Sequence, residues 1–206
     1  MTANDPAGQP VFLHGVLLHP ELRLAVIGRD ADVRPASAEG LAVLADDSAP
    51  NARLVTSPGR AEGLVAEGLT AAEVQRLVWF HGAAPVATAV LTVAGGPSQA
   101  LAFVAAGGPP TGQAAFDPER WAGRWAPTAT LAARDFMRLA GSVPEGTLRR
   151  RYPQMLTRAG ARLRAGQAGP SGLRRSAAPD DVSETRFRQP YADYFAVEEF
   201  DVRFRR

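Results

Sequence analysis

Between residues 10 and 106, glycine, proline and asparagine cut the chain into apolar runs of six to ten residues, such as GLAVLAD, ARLVTS, AEGLVAEGL, PVATAVLTVA and SQALAFVAA. Runs this short, rich in β-branched residues and bounded by turn formers, are read as strands. Only one longer helix in this region is well signalled. Thr70 with Glu73 three residues on forms a capping box, and the helix it opens runs through AAEVQRLVWF to a stop at Gly82. The expected unit is α+β, small, antiparallel and built round that helix.

The first run, residues 10 to 18, ends in a glycine-containing loop, and the HPEL that follows suits a short helix with Pro20 in its first turn. Residues 40 to 46, 52 to 57 and 61 to 69 are expected as three short strands of a meander. From Phe116 the pattern becomes helical and arginine-rich, with expected breaks at Pro127 and Pro153. Residues 166 to 180 have linker composition, and YADYFAVEEFDVRFRR resumes a strand pattern up to Arg206. The expected division is therefore 10 to 115, then a helical extension at 116 to 165, then a linker and terminal strand at 166 to 206.

Charge supports this division. Residues 1 to 117 hold 6 arginines against 11 acidic residues, and residues 118 to 206 hold 17 against 10. All 23 basic residues are arginine, so a Schiff-base lysine and a phosphate-loop lysine are excluded. The absence of cysteine excludes disulfides and thiolate sites. A polar amino terminus without a basic, apolar leader, and no apolar run near the roughly 20 residues of a membrane span, give a cytoplasmic expectation with no membrane partner.

The histidines are the candidates for chemistry. His14 and His19 are five apart with Glu21 nearby, a spacing that puts the two rings on opposite sides of a helix or strand, so no metal site is expected. His81 ends the capped helix, where an imidazole can meet free carbonyls and the helix dipole. No GxSxG elbow and no phosphate loop occurs. RRRYP at 149 to 153 and RFRR at 203 to 206 read as solvated faces, so nucleic acid is not an expected partner. Glu198 and Glu199, as strand neighbours, point to opposite faces and cannot share a proton.

The element order, with His14, Gly15, Val16 and Leu17 in the first loop, His19, Pro20 and Leu22 after it, AEGLV before the capped helix and LVWFHG at its end, resembles the γ-glutamylcyclotransferase-like family over roughly residues 10 to 106. The resemblance implies a small β-barrel with flanking helices and no cofactor. It also implies a site in which the loop His14 to Leu17 holds a glutamyl-like small molecule and His81 occupies the position of the proton-carrying residue. Family enzymes release 5-oxoproline when the substrate's α-amine attacks its γ-carbonyl, a reaction that needs positioning and a proton carrier. Here histidine replaces the family's loop tyrosine at 14 and its glutamate at 81.

The arginine-rich continuation and RQPYADYFAVEEFDVRFRR resemble the layout of bacterial Nudix proteins of the ADP-ribose pyrophosphatase kind, in which the last strand leads into the hydrolase domain. No Nudix box is present in these 206 residues. Three expectations follow from the two resemblances. The domain keeps a small-molecule pocket with weakened or lost cyclotransferase chemistry; it is an accessory or dimerisation module for a Nudix domain in cis or in trans; or it is an active cyclotransferase using His81. A second copy of the chain is a further possible partner.

Overall fold

A computed structural model describes residues 8–45, 50–82, 84–106 and 113–167. The linker at 166 to 180, except for its first two residues, and the terminal strand lie outside the described residues, together with Glu198, Glu199 and the RFRR run. Five strands, β1 (Val11–Leu13), β2 (Val33–Ala45), β3 (Ala52–Ala66), β4 (Val86–Val93) and β5 (Gly96–Phe103), close into a barrel in the order β1-β3-β2-β4-β5. Four α-helices accompany them, α1 (Pro20–Ile27), α2 (Ala71–His81), α3 (Pro118–Leu139) and α4 (Glu145–Gln167), with a 3-10 turn at Gly15–Leu18. The class is α+β, as the punctuation of the sequence implies.

The barrel is mixed, which corrects the expectation of an antiparallel one. Neighbours pair antiparallel round the sheet, but β1 and β5 meet in parallel at Val11 and Leu101. The cause is parity, because alternating directions round a closed ring of five strands must leave one parallel pair. Leu101 N donates to Pro10 O at 2.8 Å across that seam.

The three expected short strands are two long ones. Gly40, at φ +74, sits where the β2–β3 register slips between Glu39 and Leu41. The extra residues Ser57, Pro58 and Gly59 are accommodated opposite it as a bulge, where a proline forfeits no ladder hydrogen bond. Turn-forming residues thus bend a continuous strand pair instead of ending it.

Alternate positions of all five strands, Phe12, Ala36, Ala38, Leu54, Val65, Leu91, Ala100 and Ala102 among them, form one buried cluster. A narrow barrel filled by one phenylalanine needs alanines opposite it, since interiors pack to crystal density. A second core joins Val11 and Leu13 of β1 to Leu22 and Val26 of α1, Leu77 of α2, and Trp121, Ala129 and Ala133 of α3. The helical region is therefore continuous with the barrel's own core, and all described residues fall in one compact unit, Met1–Gly169.

Pro127 and Pro153 do not break their helices. In α3 the Asp117 side chain caps the start by accepting from Glu119 N and Arg120 N at 3.0 Å. Burial of Trp121, Ala126, Ala129, Thr130 and Ala133 on both sides of Pro127 then holds the helix through it. Pro127 and Gly123, whose carbonyl loses its donor, are both exposed, so water can take up that carbonyl. Pro127→Ala is accordingly expected to stabilise the protein by about 1 to 3 kcal/mol. Thermal and urea unfolding would read this, and an unchanged or lower stability would refute it.

Candidate functional site

One mouth of the barrel gathers the ends of β1, β2 and β5 and the starts of β3 and β4. The chain leaves β1 at Leu13 and turns at once into the 3-10 turn, with His14 as its extended first residue. Gly15 adopts φ +58, and a Cβ there would lie 2.6 Å from the Cβ of Ala52 at the start of β3. Only glycine suits both the backbone and the contact. The other end of the turn is clamped by buried Arg23, whose Nη1 donates to Leu17 O at 3.2 Å and Leu18 O at 3.3 Å.

His14 is 2% exposed, and His81 approaches it from the end of α2 with ring centroids 5.2 Å apart. The fold thus brings together two histidines 67 positions apart in the chain. His81 is stacked on Phe103 of β5 at 4.4 Å and 10°, and Phe80 meets it edge-on. Among the described residues, neither ring nitrogen of His14, nor Nε2 of His81, has a hydrogen-bond partner.

Burial pushes the His14 imidazole down to about 4, partly offset by the nearby Phe103 backbone, although no hydrogen bond of good geometry forms there. Burial also holds His81 well below the usual imidazole range, reinforced by His14 and by the charge of Arg149. Both rings are therefore neutral at pH 7.

The expected dipole role of His81 is taken by another residue. Arg149 of α4 donates from Nη2 to Trp79 O at 2.8 Å and more weakly to Phe80 O at 3.4 Å, while its Nε donates to Glu145 Oε1 at 3.0 Å. An arginine, always charged and forked, satisfies a helix end more strongly than a neutral imidazole can. This also corrects the reading of RRRYP as a solvated face, because Arg149, Tyr152 and Pro153 all line the cavity described below. The same device recurs in α2, where Arg76 donates to Val26 O at 2.7 Å and Ala25 O at 3.1 Å at the end of α1.

A cavity of about 360 Å3 opens beside the histidine pair, with Val16, Arg53, Phe80, Phe136, Arg149 and Tyr152 also in its wall. A neighbouring one of about 320 Å3 shares His14, Ala52, Arg53 and His81 and adds Leu54, Pro85 and Phe103. These volumes are at the lower end of small-molecule sites. Burial raises the Tyr152 phenol above its usual value, so its hydroxyl stays protonated at neutral pH. Of the loop, His14 and Val16 reach the cavity walls, whereas Gly15 and Leu17 are buried behind them.

His19 and Glu21 belong elsewhere. The His19 ring packs edge-on against Trp121 of α3 at 5.8 Å, and Glu21 is exposed in the first turn of α1. Among the described residues no group of three or more histidine, aspartate or glutamate side chains could hold a metal. A hollow of about 50 Å3 at the start of α3, beside Asp117, Arg120 and Trp121, contains no histidine. Arg53, Phe103, Arg149 and Tyr152 are site residues that sequence reading misses, since they come from three separate elements, β3, β5 and α4, and none carries a local motif.

No family profile and no curated protein matches the chain. Among solved structures, it is similar to At3g28950.1 of Arabidopsis thaliana, with 18% identity, a TM-score of 0.48, and coverage of 88% of this chain and 100% of that one. At5g39720.1 of the same plant matches with 17% identity and a TM-score of 0.48 over 58% of this chain and 85% of that one. PH0828 of Pyrococcus horikoshii matches with 13% identity and a TM-score of 0.39 over 54% and 91%.

Proposed function

We propose that this chain carries a γ-glutamylcyclotransferase-like domain that retains a small-molecule pocket and has weakened or lost the cyclotransferase reaction. The observation that carries this reading is the state of His81, a neutral imidazole stacked flat on Phe103 beside a cavity of ligand size. The family reaction needs a group that removes a proton from the attacking amine. A proton carrier works best with a pKa near the working pH, and an imidazole held well below its usual range is a poor base. The wall of the cavity contains no carboxylate among the described residues, so neither proton removal nor pairing with a substrate ammonium has an acidic side chain to serve it.

The loop from His14 to Leu17 remains the proposed binding loop, in which Gly15 sets the turn and Arg23 fixes it. Incubation with γ-glutamyl amino acids is expected to release no 5-oxoproline above the uncatalysed background, by chromatographic assay. Release that disappears in His81→Ala would overturn this reading and establish His81 as the proton carrier.

A further inference from the structure

We infer that the cavity beside His14 and His81 selects a ligand with an anionic head on an apolar body and no ammonium group, a carboxylic acid or phosphate monoester. This rests on the small-molecule reading of the same cavity and goes beyond it by fixing the ligand's charge and shape.

Two cations reach the cavity wall. Arg149 is partly neutralised by Glu145, but Arg53, which lines both cavities, bonds among the described residues only the neutral amide oxygen of Gln113, at 3.1 Å. Its charge is therefore uncompensated among the described residues. An acidic head can take a charge-assisted bond from Arg53, whereas an ammonium meets repulsion and no carboxylate.

The histidines add neutral donors. A neutral imidazole carries one N–H, and three ring nitrogens of His14 and His81 are buried without a partner among the described residues. Buried polar atoms in folded proteins are nearly always bonded, so an acidic head beside the pair, accepting from an imidazole N–H, supplies the donor side of what they lack. Apart from Asn51 and the Tyr152 hydroxyl the remaining wall is apolar, with Phe80, Phe136, Phe103 and Pro85 prominent, and suits a ring or short hydrocarbon. A γ-glutamyl compound offers carboxylates, but its free α-ammonium meets no acidic side chain among the described residues of the wall and its polar body does not suit the apolar part.

Four probes test this by calorimetric titration of the full chain at neutral pH: phenylpropionate, phenyl phosphate, phenethylamine and γ-glutamylalanine. Saturable binding of one or both anions is expected, with the other two at least about tenfold weaker. Arg53→Gln, an exposed substitution, is expected to weaken the anions about fivefold or more while leaving the melting temperature unchanged. Phenylpropionate should bind more tightly as the pH is lowered towards 6, because an adjacent anion favours the imidazolium form.

Binding of γ-glutamylalanine or phenethylamine as tight as that of the anions would overturn the inference and leave the pocket reading standing. Anion affinity unchanged in Arg53→Gln would also overturn it. Failure of all four probes to bind at millimolar concentration would remove both the inference and the pocket reading on which it rests.

Discussion

Acidification from neutral pH to about 4.5 is expected to cost about 2 to 3 kcal/mol of folding stability through His14 alone. The folded protein holds this imidazole down to about 4, against 6.5 for a free one. Between those values the unfolded chain binds a proton that the folded chain refuses, so stability falls as the pH falls. The contribution is complete above about 6.5, declines through this window, and reaches its limit of roughly 3 kcal/mol below about 4. His81 shifts in the same direction and adds to the loss, since a second positive charge 5.2 Å from the first ring is opposed by the same burial.

Carboxylates do not mimic this signal over most of the window. Glu73, held near 2 by Arg29 and the Thr70 cap, begins to contribute only once the pH drops below about 4.5. With total stabilities of about 5 to 15 kcal/mol for ordinary domains, the loss is a large fraction of the whole. Urea unfolding at a series of pH values should show a steady decline from 6.5 to 4.5, and His14→Phe should make it shallower, leaving the His81 part. Stability that stays level over this range would show that the two rings are not buried in neutral form.

Gly82→Ala is expected to destabilise the protein by about 3 kcal/mol or more. At φ 73 and ψ −141 the residue occupies a backbone region that side chains strongly disfavour, worth about 1 to 3 kcal/mol. The new Cβ would also lie 1.9 Å from Cζ of Arg149, so the guanidinium must move. Moving it surrenders the bonds to Trp79 O and Phe80 O, and charge-assisted bonds of this kind contribute about 1.5 to 3 kcal/mol.

The two costs separate in a double-mutant cycle. In an Arg149→Met background the clash and the cap are already gone, so Gly82→Ala should cost only the backbone strain. Equal destabilisation in both backgrounds would mean that Arg149 does not hold the end of α2. The result bears on function as well, because the end of α2 is what presents His81 to His14.

How much of this could be read in the chain differs from element to element. The capping box at Thr70 and Glu73 forms as its spacing implies, Thr70 N donating to Glu73 Oε2 at 2.8 Å and Glu73 N to Thr70 Oγ1 at 3.3 Å. Its signal is local, since both partners lie within one helical turn. The stop at Gly82 and the turn at Gly15 are legible for the same reason. Pro127 and Pro153 misled because the local cost of a helical proline is real, yet α3 recovers it by packing its buried face against the barrel and α4. Gly40 and Pro58 misled because a bulge and a chain end use the same residues.

His81 shows most plainly where sequence stops. Its position at a helix end is written in the chain, and a solvated imidazole there would interact with the dipole. What makes it a half-buried, neutral ring is Phe103 from β5, His14 from the loop after β1 and Arg149 from α4, none of which is its neighbour in sequence.

By itself the sequence determined the capped helix α2, the β4–β5 hairpin, the glycines on which two turns depend, and the α+β class. Each of these rests on interactions within a few residues, where spacing and conformational preference suffice. Only the tertiary structure decided the parallel seam, the continuity of the helices through their prolines, and the assembly of the histidine pair with its arginines around a cavity. Those depend on which distant groups exclude water from one another, and burial of that kind has no local signature.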